Sequence, residues 1–170
     1  GLALSSVGDM QLDGTVDVTG DTALSATGAM EVNAKLTGSG EIDLFATDNM
    51  IVDADVTAAT VVLSSEDDLL VRSQVMASDL IELSAGEDGT GGIEITAMGS
   101  LETTAIGSGV SLTTGADGGD VLLNGSITAL NQVAVTSAAG SVNGDGTLSS
   151  GALSVTAAGD LADGASGSVT

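Results

Sequence analysis

A five-residue phrase, apolar-x-apolar-Ser/Thr-small, returns about every 20 residues along the whole chain, and nothing else in the sequence restricts the fold as strongly. Copies run from Leu2-Ala3-Leu4-Ser5-Ser6 through Thr22-Ala23-Leu24-Ser25-Ala26 and Ile81-Glu82-Leu83-Ser84-Ala85 to Leu153-Ser154-Val155-Thr156-Ala157. Its central apolar position is held by Leu4, Leu24, Leu44, Leu63, Leu83, Leu112, Val135 and Val155, at separations of 20, 20, 19, 20, 29, 23 and 20. A fixed period of this length is the mark of a solenoid, in which one repeat makes one coil.

Each coil carries two further apolar groups. The second begins at Met10, Met30, Met50, Leu69, Ile93 and Val121; the third begins at Val16, Leu36, Val56, Val75, Ile127 and Leu148. The regular steps are about 6, 6 and 8 residues. Within each group apolar and polar residues alternate, as in a strand with one buried face. A single coil cannot bury such faces, but stacked coils can, each strand pairing with its equivalent one repeat away. The expected fold is all-β: a parallel β-helix with three short strands per coil, in about eight coils that extend roughly 38 Å at a rung spacing of about 4.8 Å. Residues 1–170 read as one segment of this β-helix and as an excerpt of a longer repeat protein. The stacked Met10, Met30 and Met50 read as core filler rather than soft-metal ligands. Phe45 falls at a Ser/Thr position and is expected to face outward.

Between the strands lie two registers of turn-forming residues. Asp13, Asn33, Asp53, Arg72, Asn124 and Asp145 follow the second strand, and Asp9, Asn49, Asp68, Asp120 and Asp160 precede it. Such residues tolerate left-handed backbone or hydrogen-bond a local turn. The regularity breaks in the middle of the chain, where corner insertions are expected near 86–92, 98–109 and 115–119. Insertions in solenoids map to surface loops, often on a binding face.

Composition narrows the function. The net charge is −22, with 24 acidic residues against Lys35 and Arg72, and this repels nucleic acid and anionic membranes. Both cations align with acids one rung away, Arg72 with Asp53 and Lys35 with Asp55, as charge-neutralising pairs. Without His or Cys the usual catalytic triads and zinc sites are excluded, and no catalytic or cofactor-binding residue is assigned. No cofactor is expected to be required. The acids of the two neighbouring insertions, Glu87, Asp88, Asp117 and Asp120, are the candidates for holding a divalent cation, Ca²⁺ above all. A solvated acidic surface outweighs that specific reading. No apolar run reaches the roughly 20 residues that a membrane-spanning helix needs, so membrane insertion is not expected.

Phrases such as Val121-Leu122-Leu123-Asn124-Gly125-Ser126-Ile127-Thr128-Ala129, Val133-Ala134-Val135-Thr136-Ser137-Ala138-Ala139-Gly140-Ser141-Val142 and Leu153-Ser154-Val155-Thr156-Ala157-Ala158-Gly159-Asp160-Leu161 resemble the repeats of filamentous-haemagglutinin-type bacterial adhesins. The likeness extends over essentially the whole chain. It implies a right-handed parallel β-helix, secretion to the bacterial cell surface, and service as the stalk or spacer of an extracellular fibrous protein rather than as an enzyme. The expected partners are neighbouring repeats or other copies of the fibre, with host or cell-surface glycans or proteins engaged through other modules. A self-assembling subunit of an extracellular filament or sheath is the alternative, and a polysaccharide-active β-helix enzyme a remote one.

Overall fold

A computed structural model of the chain describes residues 1–87 and 90–163. Nineteen strands and no helix make up the described residues, and the strand pairs are parallel. They wind into a β-solenoid of eight rungs, each pairing with the equivalent strand about 20 residues away.

Alternation along each strand decides what the solenoid encloses. On the first face Leu4, Leu24, Leu44, Leu63, Leu83, Leu112, Val135 and Val155 stand in direct register. On the second face Met10, Met30 and Met50 continue into Leu69, Ile93, Val121, Val142 and Leu161. Met30, Met50 and their aliphatic neighbours are fully buried, so the methionine column is core. Phe45 stands between Ser25 and Ser64 on the outer side and is 37% exposed. The small residue that closes the five-residue phrase also points inward. There Ser65 Oγ lies 2.6 Å from the Asp48 carbonyl, and Ser137 Oγ donates to the Gly119 carbonyl at 3.1 Å. A small side chain with a hydroxyl can satisfy a corner carbonyl where a larger one would collide.

Two features depart from the sequence reading. The three faces do not stay separate as three short strands: the third-face strand runs on into the first-face strand of the next rung in Val56–Ser65, Gln74–Ala85, Ser126–Ser137 and Thr147–Ala157. First and third faces therefore form one 11-stranded sheet, and the second face is a separate 8-stranded sheet. The bend is taken by register shifts, between Ala77 and Leu80 and between Ala129 and Gln132, so no loop is needed there. The other departure is at 98–109, which is not one insertion. Ser100–Thr103 is a third-face strand in which Leu101 pairs with Val75 and Ile127 and is buried. The surplus residues divide between a turn at Ala97-Met98 and a loop over Thr104–Ser108, whose Ile106 is 98% exposed.

The Asp and Asn corner residues also work differently from a left-handed turn. Among the described residues positive φ is confined to glycines, Gly8, Gly20, Gly86, Gly107 and Gly144, and no Asp or Asn adopts it. Polar side chains bind the rung above or below instead. Ala29, Asp68, Gly92 and Ser141 donate their N–H groups to Asp9, Asn49, Asp68 and Asp120 Oδ1 at 2.7–3.1 Å, and Glu41 N–H donates to Asp21 Oδ1 at 3.0 Å. These amides lie where the strand ladder is interrupted, and an unpaired amide there would be costly. A share of the acidic surface is thus structural.

One core position breaks the aliphatic pattern. Thr22 pairs with Leu2 and Ile42 and is buried, and its hydroxyl has no hydrogen-bond partner among the described residues. Thr22→Val keeps the shape and removes the stranded polar group, so it is expected to stabilise the chain by about 1–2 kcal/mol. The test is a urea melt followed by circular dichroism; an unchanged or lower midpoint contradicts the assignment.

Candidate functional site

Two of the insertions fall at the same corner, between the first and second faces, on two successive rungs. Leu83 pairs with Leu112 below the corner and Ile93 with Val121 above it, so the described residues of the first insertion, 86–87 and 90–92, are stacked on 115–120. Backbone bonds hold them: Gly115 N–H donates to the Ala85 carbonyl at 3.0 Å, and Gly119 N–H to the Gly91 carbonyl at 2.8 Å. The approach is close enough to require glycine. A Cβ on Gly115 would lie 2.8 Å from the Glu87 Cα, and one on Gly91 would fall inside the Asp67 backbone.

Glu87 and Asp117 are exposed on these insertions, and Asp120 is exposed at the start of the next second-face strand. Asp88 lies outside the described residues. Among the described residues no three acidic side chains converge to hold a metal ion, so Glu87, Asp117 and Asp120 do not form such a set. Asp120 already accepts the Ser141 N–H at 2.7 Å.

Beside this corner the second face carries a shallow groove of about 490 Å³. Its floor is the outward column Leu70–Glu94–Leu122, on three successive rungs in direct register. Asp68 and Asp120 stand at its edge, and Thr90 of the insertion forms part of its wall. The sequence reading passed over the two leucines. Their signal is nonetheless present in Leu69-Leu70-Val71 and Val121-Leu122-Leu123, where the position between two inward aliphatics, polar in Gln11, Glu31 and Glu94, is itself aliphatic.

The two basic side chains lie elsewhere. Arg72 Nη1 is 3.4 Å from Asp53 Oδ1, and both side chains are well exposed, so the pair contributes little to stability. Lys35 makes no ion pair among the described residues; Asp55, its expected partner, accepts the Ser73 hydroxyl at 2.6 Å. Asp13 likewise accepts from Asn33 Nδ2 at 3.1 Å, so along this corner neutral donors meet carboxylates as well as the one cation, Arg72.

No family model, no curated protein and no solved structure matches the chain. The likeness of its repeats to haemagglutinin-type adhesins remains a resemblance, and the functional reading rests on geometry.

Proposed function

We propose that the chain is a structural spacer: a segment of an extracellular fibrous protein of the adhesin type, displayed at a bacterial surface, that holds other modules at a distance. The observation that supports this reading is the continuity of the inner columns, which stay in register past the corner insertions, through eight rungs on the first and second faces and through the seven described on the third. In such a ladder the backbone hydrogen bonds run along the solenoid axis, and each rung rests only on its neighbours. Length is then adjustable in whole rungs of about 4.8 Å without disturbing the rest. The strong negative charge keeps neighbouring stalks apart at moderate ionic strength.

The test is to excise one rung. Removing residues 22–41 joins Asp21 to Ile42 and places Leu2–Ser6 under Ile42–Ala46 in the old register. The shortened chain is expected to keep its β-sheet circular dichroism, and its maximum dimension in small-angle scattering should fall by about one rung spacing. Antibody raised against the chain should label intact producing cells. Loss of the fold on excision overturns the modular spacer, and labelling seen only after lysis overturns surface display.

A further inference from the structure

The groove over Leu70, Glu94 and Leu122 has no part in the spacer role, and its chemistry specifies an occupant. Two outward leucines are set on either side of a carboxylate, in register on adjacent rungs about 4.8 Å apart. Two more carboxylates, Asp68 and Asp120, stand at the edge, and no basic residue lines the groove. Both edge carboxylates are held in place from the next rung, Asp68 by the Gly92 N–H at 2.8 Å and Asp120 by the Ser141 N–H at 2.7 Å. One such bond leaves most of a carboxylate's acceptor capacity unused. The whole chain has two cations, and the nearer one, Arg72, is directed to Asp53 at the other end of its strand.

We propose that this groove docks a basic segment of a partner protein, in which Lys or Arg side chains alternate with aliphatic ones. The leucines take the aliphatic side chains, and Glu94 and the edge aspartates take the ammonium or guanidinium groups, whose apolar stems lie over the leucines. Charge complementarity selects a protein segment of this kind over a nucleic acid or an acidic glycan, which the same carboxylates repel. Rigid strands present the site, so little ordering cost falls on the groove side. The proposal does not depend on the spacer reading.

The experiment separates the groove from general attraction to an acidic chain. A fluorescent peptide Lys-Leu-Arg-Leu-Lys and its equally charged counterpart Lys-Ser-Arg-Ser-Lys are titrated against the chain at about 0.15 M salt, where exposed charges are screened beyond about 8 Å. The leucine peptide is expected to bind at least about tenfold more tightly, the weight of roughly one well-placed apolar contact. Glu94→Gln and Leu122→Ser should each weaken it severalfold. Glu31→Gln, which removes the same charge from the same outward column three rungs from Glu94, should leave it unchanged. Circular dichroism checks that each variant is folded, as expected for outward positions. Equal binding of the two peptides, an equal loss in Glu31→Gln, or no binding of the leucine peptide overturns the proposal.

Discussion

Leu112→Asp is expected to abolish the cooperative fold of the chain, whereas Thr113→Asp, one residue further on, is expected to change its stability by no more than about 0.5 kcal/mol. Leu112 is 0% exposed, between Leu83 below and Val135 above, while Thr113 is exposed on the outer side between Ser84 and Thr136. Truncating such a buried leucine to alanine costs about 2–5 kcal/mol, and an unpaired carboxylate in its place costs more, because no basic side chain reaches the core. A folded domain has only about 5–15 kcal/mol in reserve. In a solenoid the damage is topological as well, since the rungs above and below are stabilised only through the one between them. Thermal and urea melts of the two variants by circular dichroism make the comparison. A Leu112→Asp variant that melts like the parent would mean that the inner and outer sides are wrongly assigned.

A second large effect is expected at a corner. Gly125→Ala should cost about 2–3 kcal/mol or more, and Gly14→Ala, at the equivalent corner near the start of the chain, should gain about 0.4–1 kcal/mol. Neither glycine has positive φ, so the difference lies in space alone. A Cβ on Gly125 would overlap the Gly99 carbonyl oxygen and stand 2.5 Å from that of Thr96 and 2.8 Å from Ile95 Cγ2. Gly125 itself donates to the Ile95 carbonyl at 3.0 Å, so these contacts cannot be relieved without breaking the ladder. A Cβ on Gly14 meets nothing within 4 Å, and Ala34 and Ala54 already occupy the next two corners. The substitution there only narrows the unfolded ensemble. Chemical denaturation of both variants gives the sign of each effect; matching behaviour would mean that the turn at Ala97-Met98 does not tighten the corner.

These contrasts also mark how far the sequence could be read. Wherever apolar residues alternate in pairs, the register was legible: the Leu4, Met10 and Val16 columns stand as their spacing indicates, and so does the approach of Arg72 to Asp53. Leu101 was not, because Ser100–Thr103 offers one inward aliphatic followed by Thr103, and a lone leucine among polar residues has no period. The fusion of third and first faces was hidden for a related reason. Alternation tells which side a residue faces, but not whether the backbone bends or breaks between two runs. The polar corners were found by their register, yet their action is between rungs, Asp68 on Gly92 and Asp120 on Ser141, and local turn propensity does not carry that information. At the candidate site the insertions were legible as surplus length. The groove beside them was not, since it depends on outward leucines contributed by two different rungs, Leu70 and Leu122, with Glu94 between.

The short spacing of partners along the chain bears on how such a molecule comes into being. Each strand finds its template one repeat back, between 19 and 29 residues away, whether it belongs to the second rung or the eighth. The entropy of closing that loop rises only with the logarithm of its length, so it is nearly the same for each addition and does not grow with total length. A chain leaving a ribosome or a membrane pore end first can fix one rung at a time on the edge already formed, and each fixed rung prevents the last from sliding back. Folding then proceeds as directional growth, at a rate set by the repeat and not by the size of the finished protein.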